Sequence, residues 1–142
     1  MIVVDASLAV KWFTVEDDRE AALEFLVCNV GQLCGPDLLL TETASGIVRR
    51  GNAGKVSADE AQEALDNWRR MWSDGEITFH RLTPERLDEA GRIALTLGHP
   101  LADCVYLQLA MEIGRELATC DAKFQLKAAR LYEGVKLLAD YG

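Results

Sequence analysis

Ile2-Val3-Val4 is a run of β-branched residues that stops at Asp5 and gives way at once to Ala6-Ser7-Leu8-Ala9-Val10-Lys11-Trp12-Phe13, where helix formers take over. Such a switch predicts a strand feeding directly into a helix, and it recurs along the chain. Asp17-Asp18 opens a second helix through Ala21, Leu23, Leu26 and Val27, with its acids at the positive end of the dipole. Gln32-Leu33-Cys34 reads as a short strand before Gly35-Pro36, and a helix from Leu38 carries Ala44, Ile47 and Val48 to Gly51-Asn52. Ser57-x-x-Glu60 is a capping box that starts a long helix through Ala61, Leu65, Trp68 and Trp72. The strand Ile77–His80 precedes Thr83-Pro84, which starts a helix with an apolar stripe at Leu87, Ala90, Ile93, Ala94 and Leu97. From Leu101 a helix runs to Gly114. A strand over Glu116–Cys120 then delivers Asp121, a helix begins at Phe124-Gln125, and Val135-Lys136-Leu137 is a last weak strand.

Strands alternating with helices predict an α/β protein, a three-layer α/β/α sandwich around a mostly parallel sheet. At 142 residues, with no linker, repeat or low-complexity segment, residues 1–142 are expected to form one domain.

The longest stretch without a charged side chain lies between Glu24 and Asp37, shorter than the roughly 18 apolar residues of a membrane span. The N-terminus lacks a basic segment ahead of an apolar one, so the expectation is a cytoplasmic protein without a secretory leader. Cys28, Cys34, Cys104 and Cys120 form no C-x-x-C pair, and His80 and His99 stand far apart, so no zinc spacing is present. The cysteines are expected to be reduced, buried thiols. With 15 Lys and Arg against 23 Asp and Glu, the net charge of −8 argues against charge-driven coating of nucleic acid.

Four acids stand where apolar residues would be expected. Asp5 and Asp121 each follow a strand, and the carboxyl ends of parallel strands form the ligand crevice of an open sheet. Asp103 lies in the first turn of the apolar helix Leu101-Ala102-Asp103-Cys104-Val105-Tyr106-Leu107, and Glu42 interrupts Leu38-Leu39-Leu40-Thr41-Glu42-Thr43-Ala44. Taken singly, Asp5, Asp103 and Asp121 also read as helix caps and Glu42 as a solvated side chain. If the four converge, each like-charged pair about 4 Å apart costs roughly 4 kcal/mol at an effective dielectric near 20. Such a cluster calls for protonation or a divalent cation, and an all-oxygen donor set suits Mg²⁺ or Mn²⁺. Metal-assisted hydrolysis of a phosphate ester is the reaction class that follows.

In this order, Val3-Val4-Asp5-Ala6-Ser7, Glu42 in a helix after a Pro, Leu101-Ala102-Asp103-Cys104-Val105-Tyr106-Leu107-Gln108-Leu109-Ala110 and Ala118-Thr119-Cys120-Asp121-Ala122-Lys123-Phe124 resemble the PIN domain, specifically its VapC-type toxin branch. The resemblance spans almost the whole chain. It implies a Mg²⁺- or Mn²⁺-dependent endoribonuclease whose catalytic and metal-holding quartet is Asp5, Glu42, Asp103 and Asp121. Ser7 and Thr119 fall where the family often places a supporting hydroxyl. It further implies the toxin of a type II toxin–antitoxin system, with RNA as substrate, a cognate antitoxin as partner and a homodimer as the common assembly. Cys104 departs from the small residue more usual after the acid.

Arg49, Arg50, Lys123 and Lys127 are candidates for holding substrate phosphates, with Arg130 and Lys11 as further cases; all six also read as solvated helix charges. Trp12, Phe13, Trp68 and Trp72 are candidates for a groove or dimer face, or for core packing. Two rivals belong to other classes: a catalytically inactive PIN-like module that binds RNA or a partner, and a metal-dependent phosphatase or nuclease acting on DNA.

Overall fold

The computed structural model describes all 142 residues. Five strands pair in parallel in the order β3-β2-β1-β4-β5: β1 (Ile2–Val4), β2 (Leu33–Pro36), β3 (Ile77–His80), β4 (Glu116–Thr119) and β5 (Val135–Leu137). Seven α-helices surround this sheet: α1 (Ala6–Ala9), α2 (Arg19–Cys28), α3 (Leu38–Asn52), α4 (Ala58–Ser73), α5 (Pro84–Leu97), α6 (Leu101–Ile113) and α7 (Ala122–Ala128). The result is the α/β sandwich that the alternation of elements predicts. No helix is long and apolar enough to cross a membrane.

The central strand is the first one. From β1 the chain steps outward through β2 to β3, then returns to the other side of β1 as β4. Neighbouring strands β1 and β4 therefore feed helices that leave in different directions, and a crevice opens at their carboxyl ends. Val3, Val4, Leu117 and Ala118 are fully buried in these two strands. Helix α6, buried from Cys104 to Ala110, packs against β1, β2 and β4, which explains why its sequence is apolar nearly all round.

Several local expectations shift. Strand β2 continues through Gly35-Pro36, because β1 pairs only with Leu33 and Cys34 while β3 continues alongside to His80; Pro36, which lacks an N–H, thus sits where the strand has one neighbour. The segment after Asp5 is a single α-helical turn followed by a 3₁₀ turn, Val10–Trp12, and α7 starts at Ala122 rather than Phe124. Helix α2 is rotated from the expected face, burying Ala22 and Phe25 and leaving Val27 exposed, with the Trp12 indole N–H bonded to the Ala22 carbonyl at 3.0 Å. Cys28, at the end of that helix, is exposed, whereas Cys34 and Cys104 are buried and Cys120 is half-buried; all four are free thiols. The capping box of α4 forms as read, with reciprocal bonds between Ser57 and Glu60. Trp12 and Trp68 are core residues, Phe13 packs against both, and Trp72 is exposed.

Candidate active site

The crevice at the ends of β1 and β4 is a cleft of about 720 Å³ lined by Asp5, Glu42, Asp103 and Asp121, with Lys11, Glu16, Arg49, Arg50 and Lys55. Asp5 follows the last residue of β1 and caps α1, accepting from the Leu8 N–H at 3.2 Å. Asp121 stands just beyond β4 and caps α7, accepting from the Phe124 N–H at 3.0 Å. Capping and a place in the cleft are thus compatible for both. Asp103 is not the cap of α6, a position that Pro100 takes, and Glu42 is bound to protein rather than simply solvated.

Two hydroxyls join the two strand ends. Ser7 Oγ donates to Asp5 Oδ1 at 2.6 Å and accepts from the Cys120 N–H at 2.9 Å. Thr119 Oγ1 donates to Asp5 Oδ2 at 2.5 Å and accepts from the Asp121 N–H at 3.1 Å. Each hydroxyl therefore spends its single proton on Asp5 while gripping the turn that carries Asp121.

The other two acids are oriented from α6 and the segment just before it. An ionised carboxylate can only accept, so His99 Nε2 donates to Asp103 Oδ2, at 2.6 Å, and the His99 ring is stacked on Phe124. Tyr106 Oη donates to Glu42 Oε1 at 2.7 Å. Burial, then the bond to Glu42, pushes the Tyr106 phenol well above its usual range, so it remains a donor. Tyr106 stands one turn after Asp103 on α6, whereas His99 precedes the helix, next to its Pro100 cap. Neither residue carried a signal in the sequence, where Tyr106 reads as one more core aromatic and His99 as an isolated histidine beside a Pro.

None of the four acids forms an ion pair with Lys or Arg; Asp103 meets only His99. Burial of Asp5, only 3% exposed, raises its carboxyl to about 6 against the lowering effect of Ser7, Thr119 and Leu8. No cation stands close enough to Asp5 to offset that burial, and the charge of Asp103 adds to it. Each acid is turned to its own protein donor, and no three His, Cys, Asp or Glu side chains are gathered as metal ligands. The donor set itself, four carboxylates without a Lys or Arg partner, fits a hard divalent cation. Burial pushes Cys104 to about 11 and Cys120 to about 12, so both thiols stay protonated at neutral pH and offer no nucleophile.

The cations divide unevenly. Arg49 and Arg50 line the cleft, as do Lys11 and Lys55, the last without any sequence signal. Lys127 instead donates to the Gly98 carbonyl at 3.0 Å, and Lys123 and Arg130 are exposed outside the cleft lining.

The sequence pattern of the PIN domain matches residues 2–130, and the chain belongs to the PIN domain family. Ribonuclease VapC3 of Pyrobaculum aerophilum is 29% identical over 126 residues, which is 89% of this chain and 93% of that protein. Two solved structures share the fold. A toxin–antitoxin complex from Klebsiella pneumoniae superposes with a TM-score of 0.72 at 14% identity, covering 97% of this chain and 98% of that one. Mycobacterium tuberculosis VapC20, a sarcin–ricin loop cleaving toxin, gives 0.74 at 12% identity, covering 89% and 94%.

Proposed function

We propose that this PIN domain is a metal-dependent endoribonuclease, the toxin of a type II toxin–antitoxin pair. The observation that carries the reading is the cleft itself: four carboxylates, from the end of β1, α3, α6 and the β4–α7 turn, line one crevice and none of them is in an ion pair with Lys or Arg. Similarity to a VapC ribonuclease and to toxin folds supports it. Asp5, Glu42, Asp103 and Asp121 would hold Mg²⁺ or Mn²⁺, which when bound supplies charge neutralisation at the scissile phosphodiester and acidifies water. The chain's own part is orientation. Ser7 and Thr119 fix Asp5 relative to Asp121, Tyr106 fixes Glu42, His99 fixes Asp103, and Arg49, Arg50, Lys11 and Lys55 supply phosphate contacts along the same cleft. An antitoxin segment carrying basic residues suits the unneutralised acids, and a homodimer is the assembly this reading carries with it; co-purification with the protein encoded alongside and sedimentation test these two points.

The deciding experiment is cleavage of RNA by the purified protein with Mg²⁺ or Mn²⁺, compared with Asp5→Asn, Asp103→Asn and added chelator. Loss of cleavage in all three supports the reading, and activity that survives both substitutions refutes it. The individual satisfaction of each acid by a protein donor also suits a module that binds RNA without cutting; metal-independent binding with no cleavage under any divalent ion would establish that alternative. A parallel DNA substrate separates a DNA-directed enzyme.

A further inference from the structure

Positive and negative side chains in the cleft do not neutralise one another in the obvious way. Asp5, Glu42, Asp103 and Asp121 have no Lys or Arg partner, yet two of the cleft cations are already engaged, by Glu16. Glu16 lies on the irregular segment between the 3₁₀ turn and α2, outside any helix or strand. One of its oxygens, Oε1, accepts from Arg50 Nη2 and from Lys11 Nζ at 3.4 Å. The other, Oε2, lies 2.8 Å from Thr14 Oγ1, whose hydroxyl is shared with the Val10 carbonyl at 3.0 Å. A guanidinium from α3 thus joins an ammonium and a hydroxyl from Glu16's own stretch of chain in closing on one anion at the edge of the cleft, with the Glu16 side chain only 15% exposed.

That donor set is the kind that holds a phosphate group, since carboxylate and phosphate oxygens present the same acceptors to an Arg fork. Asp18, not Glu16, is the nearer partner of Lys11, at 2.8 Å. Arg50 has no other carboxylate, so it is the cation that Glu16 withholds. We propose that Glu16 is an internal stand-in for a substrate phosphate: in the free protein it occupies a phosphate subsite built from Arg50, Lys11 and Thr14, and a backbone phosphate of a single-stranded RNA displaces it. The identity of the displacing strand rests on the ribonuclease reading, whereas occupation of the subsite does not. Because Glu16 sits on irregular chain, its side chain can leave without breaking a helix or ladder bond.

The test is binding of a labelled single-stranded RNA octamer by anisotropy in excess chelator, where nothing is cut. Four proteins are compared: wild type, Glu16→Gln, the neighbouring exposed Asp17→Asn as a control for net charge, and Glu16→Gln in an Arg50→Gln background. Glu16→Gln is expected to lower Kd about three- to tenfold, the factor expected when a part-buried ion pair no longer competes. The slope of log K against log salt should steepen by about 0.7, one additional cation on a single strand. Asp17→Asn should do much less, and the gain should vanish when Arg50 is gone. A Kd that is unchanged or raised in Glu16→Gln, or a gain that persists without Arg50, overturns the proposal. Melting curves accompany each protein, and Glu16→Ala is the second variant, expected to move Kd in the same direction. Wild-type protein that binds the octamer but never cuts RNA with Mg²⁺ would refute the ribonuclease reading while leaving the subsite result standing.

Discussion

Replacing Asp5 with Asn should make the metal-free protein more stable at neutral pH. Burial disfavours the charged form of Asp5 and pushes its carboxyl up to about 6 in the folded protein, from an ordinary value of 3.8. A folded-state value above the unfolded one means that the native protein holds the proton more tightly. Stability from this group is therefore full below pH 3.8 and is lost as pH rises through about 6. The difference corresponds to about 3 kcal/mol against folding at pH 7.5. Asn removes the charge but also one acceptor, and Ser7 and Thr119 both donate to Asp5, so about 1 kcal/mol of hydrogen bonding is set against the gain. A net stabilisation of about 2 kcal/mol should raise Tm by roughly 6–8 °C for a chain of this size. The assay is thermal melting of wild type and Asp5→Asn in chelator at pH 7.5, 5 and 4. The gap should be widest at pH 7.5, with the ionisation cost reduced to roughly half at pH 5 and smaller still at pH 4. Millimolar Mg²⁺ should then raise Tm of the wild type and narrow the gap. An Asn variant no more stable than wild type at pH 7.5, or a gap that does not change with pH, would refute the argument that Asp5 is buried as an uncompensated charge.

Tyr106→Phe removes the only hydroxyl that holds Glu42 and leaves the ring in place; about ten- to hundredfold more Mg²⁺ should be needed for half-maximal RNA cleavage, read by metal titration. A Cβ added at Gly46 would lie 2.5 Å from Val10 Cγ2, where α1 and its 3₁₀ extension cross α3. Gly46→Ala should accordingly cost about 1–3 kcal/mol in denaturant unfolding, with much of the loss recovered by adding Val10→Ala. Of the four thiols only Cys28 is exposed, so a thiol reagent at pH 8 should show one fast phase that Cys28→Ser abolishes; fast modification of Cys120, which burial pushes to about 12, would contradict its placement.

The acids were legible because they violate a pattern. Asp5, Asp103 and Glu42 interrupt apolar stretches, and Asp121 ends a strand run, so local periodicity is enough to single them out. The phosphate-contact candidates were less legible, because a Lys or Arg on a helix obeys the polar pattern wherever it points. Arg49 and Arg50 reach the cleft, but Lys127 is spent on the Gly98 carbonyl, while Lys55, in the turn before α4, lines the cleft instead. Helix α2 shows the same limit: Ala21, Leu23, Leu26 and Val27 are apolar, yet the neighbouring Ala22 and Phe25 are the buried pair, because packing against Trp12 sets the rotation of the helix.

The sequence by itself determined the alternation of strand and helix, the parallel sandwich that follows from it, and the positions along the chain where carboxylates interrupt apolar segments. These are consequences of period, chirality and capping, which act over a few residues. Only the tertiary structure decided that β1 and β4 are neighbours, since parallel strands pair across more than a hundred residues of intervening chain. That pairing brings Ser7 and Thr119 together on Asp5, sets His99 and Tyr106 as the partners of Asp103 and Glu42, and lets Glu16 rather than the strand-end acids take Arg50. Such contacts depend on directions and distances fixed by packing, and these have no signature in the order of the residues.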